Sequence, residues 1–280
     1  MYDFRDIKEY AFPFDTPIKT VIDGINIDDK IYGFMTLAVY GRELVGRDIE
    51  TTDFRKIQTG TGTRTYKNTK TSTAGYENRF LSSTISAREI TVKYALKAAN
   101  EYDYFRKFEL LNYYLGAENC KIQFTDDLRY YYIGTVSKVE NPQINGLQVI
   151  GTFSIEISNP FKQRVDNEEF TFEKEGQFKK DTLYPVKIEN IKIKIKEPGS
   201  KFIFKNLSNG QRIIFDKDFK ADDVINIDFV ENLITGKGGQ SLFKYLDITS
   251  DLEEFTIGNN DILQSSLNAD ITVIFREVAL

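Results

Sequence analysis

Between Leu147 and Ser158 the side chains alternate almost without a break. Leu147, Val149, Phe153, Ile155 and Ile157 share one parity, with Gly151 among them. Gln148, Thr152, Ser154, Glu156 and Ser158 hold the other, and only Ile150 departs from it. Successive side chains of a strand point to opposite faces, so the segment reads as a strand with one buried and one wet face. Ile90, Val92, Tyr94 and Leu96 repeat the pattern, as do Ile225, Ile227 and Phe229, and then Ile271, Val273 and Phe275. A chain written mostly in period two folds into sheets built of such half-buried strands. The 22 Phe and 16 Tyr, with abundant β-branched residues, favour the same outcome.

One segment has helical spacing. Phe105, Phe108, Leu111 and Leu115 form a single apolar stripe. Asn100 is placed to cap its start, Glu101 and Asp103 lie in the first turn, and Gly116 is placed to stop it. One helix among strands would lie across a sheet face and cover it.

A length of 280 residues suits two domains. The boundary is expected just after Asn159-Pro160-Phe161. Pro160 lacks a ladder N–H, and the stretch from Lys162 to Glu169 is polar and charged. Domains of 1–162 and 163–280 follow. The second reads as all-β, with strands expected at Glu169–Phe172, Tyr184–Lys196, Lys201–Lys205, Arg212–Phe215, Val224–Phe229, Leu242–Ile248 and Asp270–Arg276. Turns are expected at Asn209-Gly210, Gly236–Gly239 and Gly258-Asn259-Asn260. The parity of Val186 and Ile188 flips before Ile191, Ile193 and Ile195, which calls for a bulge or turn near Asn190.

Residues 58–77 carry threonine at every second position: Thr59, Thr61, Thr63 and Thr65, then Thr69, Thr71 and Thr73. A hairpin with Tyr66-Lys67-Asn68 as its loop would set Thr65 opposite Thr69, Thr63 opposite Thr71 and Thr61 opposite Thr73. Cross-strand threonine pairs stabilise a ladder by only about 0.2–1 kcal/mol each. The stretch has almost no apolar side chain besides Tyr66 and Tyr76, too little to offset its ordering entropy. It is either a disordered polar loop or an arm that becomes ordered on a neighbouring subunit. The candidate arm residues are Thr61, Thr63, Arg64, Thr65, Tyr66, Lys67, Lys70, Thr71 and Thr73.

Chemistry is scarce. The chain has no histidine and one cysteine, which removes Ser-His-Asp and Cys-His catalysis, histidine zinc sites and internal disulfides. Cys120 reads as a small buried apolar residue. Gly60-Thr61-Gly62 and Gly236-Lys237-Gly238-Gly239 lack the rest of any phosphate or dinucleotide loop. Asp126-Asp127, Asp222-Asp223 and Glu253-Glu254 read as solvated turns. Asp247, Thr249 and Asp251 lack the glycine and terminal glutamate of a calcium loop. Tyr130-Tyr131-Tyr132 reads as strand packing, with one of its two faces in the core. The net charge of −5 leaves no basic excess for gripping phosphate backbones. The start is charged, and the most apolar run, Tyr32–Tyr40, is far shorter than the roughly 20 residues of a membrane helix. Cytoplasmic synthesis without membrane insertion is expected, with no catalytic site, metal or cofactor.

The order of elements from Ile85 to Phe161 resembles the N-terminal domain of siphophage distal tail proteins, which form the ring at the tip of long non-contractile tails. The resemblance is carried by Asp23-Gly24-Ile25, by Val39-Tyr40-Gly41-Arg42 and by the run from Ser86 to Val92. It continues in Leu110-Leu111-Asn112 on the helix, in the strand from Arg129 to Gly134, and in Asn159-Pro160-Phe161. More loosely, the runs from Asp223 to Asp228, Leu233 to Gly236 and Phe255 to Asn260 resemble the family's C-terminal β-sandwich, which is similar to galectins and carbohydrate-binding modules. The Gly-rich element that commonly follows the family's early strands is replaced here by the threonine-rich run.

The resemblance implies a mainly β fold: an α+β ring-forming domain with one helix, then a β-sandwich. It implies a virion structural protein at the tail tip, with six copies in a ring and the threonine-rich arm embracing the next subunit. The partners implied are the tail tube protein, the tail-associated hub protein, the tape-measure protein and receptor-binding proteins. No membrane and no sequence-specific nucleic acid binding is implied. The other function considered is a carbohydrate-binding host-adhesion module acting through the C-terminal sandwich. A wall hydrolase is disfavoured, because no acid pair sits in an identifiable motif.

Overall fold

The computed structural model describes residues 18–42, 64–69, 79–85, 87–140 and 143–280. The chain divides into two compact units between Lys162 and Gln163, with Leu280 grouped with the first.

The first unit is built on a long antiparallel sheet. Its strands are β1 (Thr20–Ile22), β2 (Ile25–Asn26), β3 (Phe34–Tyr40), then a separate pair β4 (Arg64–Thr69) and β5 (Arg79–Ile85). They are followed by β6 (Arg88–Lys97), β7 (Cys120–Phe124), β8 (Tyr130–Val139), β9 (Gln143–Asn145) and β10 (Gln148–Ile157). The main path runs β2-β1-β7-β8-β10-β6-β3, with β9 added beside β10. Its spine is the ladder of ten residue pairs between β10 and β6, from Gln148↔Lys97 to Ile157↔Arg88. Register follows the apolar parity: Val149, Phe153, Ile155 and Ile157 are buried with Ile90, Val92, Tyr94 and Leu96, and Ile150 is exposed. A one-residue slip would turn this whole set to water.

Among the described residues two helices flank the sheet, where the sequence suggested one. The first, α1 (Ile27–Lys30), is a single turn that buries Ile27. Four residues are too few to show a 3.6-residue period. The second, α2 (Glu101–Leu115), begins where expected: the Asn100 side chain accepts from the Asp103 N–H, and the Gly116 N–H closes the last turn on the Asn112 carbonyl. Its buried stripe is rotated from the expected one. Tyr104, Phe108, Leu111 and Leu115 face the core, together with the stem of Lys107, while Phe105 is 68% exposed. Phe105 and Tyr104 are both aromatic, so periodicity alone could not choose between them. The choice follows from Lys107, whose Nζ donates to the Lys97 carbonyl at the end of β6 and pairs with Asp103 at 2.7 Å.

The second unit is a β-sandwich. It contains β11 (Lys162–Arg164), which spans the unit boundary, then β12 (Glu168–Glu173), β13 (Glu175–Gln177), β14 (Lys187–Ile195), β15 (Phe202–Asn206) and β16 (Arg212–Phe215). It continues with β17 (Val224–Asp228), β18 (Leu233–Gly236), β19 (Ile262–Ser265), β20 (Ala269–Arg276) and β21 (Val278–Ala279). A five-stranded sheet, β12-β20-β14-β17-β18, faces a four-stranded one, β13-β19-β15-β16. Their inner faces share one core that includes Ile191, Ile193, Phe202, Phe204, Phe215, Ile225, Ile271 and Phe275.

The register shift between Ile188 and Asn190 leaves Glu189 as the extra residue of a bulge, as the parity flip required. The bulge aims Glu189 at Arg276, with which it forms an ion pair. Leu242–Ile248 is not a strand. It forms a 3-10 turn at Phe243–Tyr245, and Leu246 makes an isolated bridge to Phe215. Its backbone instead closes the outer edge of β16, through Asp247 N–H to the Ile214 carbonyl. Sealing an edge of a sheet in this way blocks unwanted strand pairing. Gly236–Gly239 is the end of β18 followed by a tight turn.

Candidate assembly interface

The chain leaves the main sheet after Tyr40 and rejoins it at Arg88; β3 and β6 are hydrogen-bonded neighbours, with Tyr40 opposite Thr91. The described strands between them, β4 and β5, join no strand of that sheet, so the chain makes an excursion from its edge there. Its outgoing stem turns at Gly41, where φ is +81° and an added Cβ would lie 2.1 Å from the Glu89 carbonyl oxygen. Arg42 then donates from Nη1 to both carboxylate oxygens of Asp126, at 2.8 and 2.7 Å, and lies over the Phe124 ring. The returning stem is held by Arg88. Its Nη1 donates to the Arg42 carbonyl at 2.6 Å and to Tyr132 Oη at 3.1 Å, and its guanidinium lies over the Tyr132 ring. The two stems are thus tied to each other and to β7 and β8.

The excursion carries β4 and β5, which pair antiparallel from Arg64↔Ile85 to Thr69↔Arg79 and join no other strand among the described residues. This corrects the expected hairpin. Tyr66, Lys67 and Asn68 are not a loop; they lie within β4, opposite Ser83, Ser82 and Phe80. Thr65 faces Thr84 rather than Thr69. The residues 79–85, Arg-Phe-Leu-Ser-Ser-Thr-Ile, offer a longer ladder richer in strand-forming residues than a threonine-only hairpin. Arg64, Thr65, Tyr66 and Lys67 are brought together on β4, whereas Thr61, Thr63, Lys70, Thr71 and Thr73 lie outside the described residues.

A second exposed surface runs along α2. Tyr102, Phe105 and Tyr113 recur on its outer side and are 78%, 68% and 76% exposed. Aromatic side chains displayed together in this way mark contact surfaces more often than isolated apolar residues do. The alternation pattern alone hid this stripe, because Phe105 was assigned to the core.

The remaining motifs are structural. Cys120 is buried; its Sγ–H donates to the Gly134 carbonyl, and burial pushes the thiol pKa up, away from the thiolate. Tyr131 and Tyr132 are both buried, so both faces of that strand are covered rather than one. Asp126 pairs with Arg42, Asp127 with Lys162, and Asp222 with Lys194. Asp247 accepts from the Thr249 N–H and hydroxyl, and Asp251 from the Arg212 N–H. Among the described residues, no cluster of three or more His, Cys, Asp or Glu could hold a metal ion.

Two family models match the chain. Residues 46–159 match a phage tail protein RIFT-related domain, and residues 183–278 match the C-terminal domain of siphovirus-type tail components. Among solved structures, the crystal structure of the SPP1 Dit (gp 19.1) protein aligns with 95% of this chain and 100% of its own, at 17% identity and a TM-score of 0.69. That protein is described as a paradigm of the hub adsorption apparatus in phages infecting Gram-positive bacteria. The phage P2 baseplate in its activated conformation with Ca aligns with 92% of this chain and 98% of the matched chain, at 10% identity and a TM-score of 0.44. No curated protein sequence matches. No helix among the described residues is long and apolar enough to cross a membrane.

Proposed function

This chain belongs to the siphophage distal tail proteins, structural components of the virion tail tip, and from that premise we propose how it assembles. Six copies close into a ring by repeated head-to-tail contacts, and the β4–β5 ladder of each copy lies on the next. One observation carries this reading: a two-stranded ladder that joins no other strand among the described residues lies between stems that are tied to each other. An isolated hairpin is marginal in water, so a neighbouring surface is what would order it.

The ring joins the tail tube to the tail-associated hub protein and surrounds the path of the tape-measure protein. The exposed stripe of α2 offers Tyr102, Phe105 and Tyr113 to one of these neighbours. The C-terminal sandwich holds adhesion components. No residue carries a covalent step; the work is positional.

The test removes residues 64–85, both strands of the ladder, and joins the stems with a short Gly/Ser linker. The variant should keep the unfolding midpoint of the main sheet. Ring formation, followed by sedimentation and negative-stain microscopy at matched concentration, should be lost. A variant that assembles like the parent refutes the assignment.

A further inference from the structure

The outer face of α2 carries charges as well as exposed rings. Tyr102, Arg106, Glu109 and Tyr113 are all exposed and, at about 100° per residue, fall within roughly 60° of one another around the helix. Phe105 borders them, 68% exposed. The four are set evenly about a point between Lys107 and Phe108. Arg106 and Glu109 flank that point closely, and Tyr102 and Tyr113 lie about one and a half turns out from it on either side. The charge beside the stripe is answered within the chain: Lys107 meets Asp103 at 2.7 Å and the Lys97 carbonyl at 2.9 Å. Arg106 and Glu109 form no ion pair among the described residues. Two of the rings are already steadied by their chain neighbours, Phe105 edge-on to Tyr104 at 5.8 Å and Tyr113 edge-on to Tyr114 at 5.4 Å. Ordering a ring before contact lowers the entropic cost of burying it.

The symmetry of the set decides its occupant. A parallel copy of α2 would bring Arg106 against the partner's Arg106 and Glu109 against the partner's Glu109, and like charges repel. An antiparallel copy, related by a two-fold axis through the centre of the set, brings opposite charges together and rings onto rings. We propose that the outer face of α2 pairs with α2 of a second copy of this chain, with Arg106 against the partner's Glu109 and Tyr102 against the partner's Tyr113. Self-complementarity makes each of these contacts twice. The three rings expose roughly 300–550 Å² per copy, so the pair buries roughly 600–1,100 Å², the range of weak and transient contacts. The two-fold contact is separate from the head-to-tail contacts of the ring and does not depend on the arm. It covers the aromatic stripe in the free protein, and a tail neighbour that takes the same stripe displaces it.

The test mixes two full-length variants, Tyr102→Cys and Tyr113→Cys, under mild oxidation at protein concentrations up to about 1 mM. Cys120 is buried with its thiol pKa raised, which keeps it out of the reaction. A disulfide-linked dimer should form in the mixture and in neither variant alone, because like positions lie about 16 Å apart in the antiparallel pair, beyond the reach of a disulfide. Glu109→Arg in both chains sets arginine against arginine and should slow the cross-linking about tenfold or more. Adding Arg106→Glu exchanges the two charges and should restore the rate. These positions are exposed, so the urea midpoints should stay close to that of wild type. Equal cross-linking of Tyr102→Cys alone makes the helices parallel and overturns the proposal. So does a mixture that yields no dimer, or a rate indifferent to the charge reversal, which marks chance collision. Ring formation is scored separately by sedimentation: rings without the cross-link refute the helix pair and leave the ring reading standing, and the cross-link without rings does the reverse.

Discussion

Gly151 and Tyr94 face each other across the β10–β6 ladder, and replacing Gly151 by alanine tests how tightly the main sheet is packed. A Cβ at position 151 would lie 2.7 Å from Tyr94 Oη, 2.8 Å from Cζ and 3.0 Å from Cε1. The ring has little room to retreat: it is fully buried, stacked on Phe34 at 5.3 Å and tilted against Phe153 at 5.9 Å. Overpacking a core costs about 1–3 kcal/mol. Alanine returns about 0.4–1 kcal/mol by narrowing the unfolded ensemble. Gly151→Ala should therefore destabilise the N-terminal unit by about 1–2 kcal/mol. Tyr94 Oη is buried without a partner, so Tyr94→Phe should be neutral or stabilising, by up to about 2 kcal/mol. Removing Oη deletes the nearest obstacle to the new methyl but leaves Cζ and Cε1. In the Tyr94→Phe background Gly151→Ala should therefore cost less, by a coupling of about 0.5–1 kcal/mol. Urea unfolding followed by amide exchange on 88–97 and 148–157 reads this unit separately from the sandwich. Strict additivity of the two substitutions, or a Tyr94→Phe loss above about 1 kcal/mol, refutes the argument.

Gly41→Ala should be harsher in kind, because the positive φ and the 2.1 Å approach to the Glu89 carbonyl are both backbone constraints. A loss of about 2 kcal/mol or more in the N-terminal urea transition is expected, with weakened ring formation. Asp103 accepts from Lys107 and from the Ala99 N–H, which hold its pKa below the usual carboxylate value. Its contribution is therefore full above about pH 4 and is lost as pH falls through the lowered folded value; Asp103→Asn should flatten that acid limb of the stability profile. Glu189→Ala removes the carboxylate that the bulge aims at Arg276, whose Nη1 still donates to the Arg164 and Val165 carbonyls. The sandwich should lose about 1.5–3 kcal/mol in chemical denaturation, and an unchanged midpoint would deny the bulge its role.

Legibility in the sequence tracked the strength of period two. Strands β6, β10, β14, β17 and β20 bury one face each, and their alternation announced both the strands and the residues that fill the cores. The bulge at Glu189 was visible for the same reason: a parity flip has few other causes. Three short strands were not visible, since β13, β18 and β19 span only three or four residues each, whereas β16, equally short, showed in its apolar run Ile213-Ile214-Phe215. The rotation of α2 was hidden because a lysine stem, not an aromatic, completes its buried face. The arm was misread for a different reason. Its threonine repeat is compatible with several hairpin registers, and the register was decided by residues 79–85, outside the repeat.

The contrast between stem and ladder has a measurable consequence. Fixing one residue's backbone costs about 1–2 kcal/mol of entropy, and the six residues of β4 and seven of β5 have, among the described residues, only each other as strand partners. Strand β6, one residue pair from the arm's root, is instead paired on both sides, by β3 and β10. Opening of β4 and β5 in a lone subunit should therefore need little free energy, whereas opening β6 should approach the global unfolding free energy of its unit. On ring formation the ladder gains a neighbouring surface and its opening becomes linked to dissociation. Amides of 64–69 and 79–85 should exchange fast in the subunit and slowly in the ring, and those of 88–97 slowly in both. Equal protection of the ladder in the two states would mean that the arm is self-supporting, and the physical reason for assigning it to a neighbour would be gone.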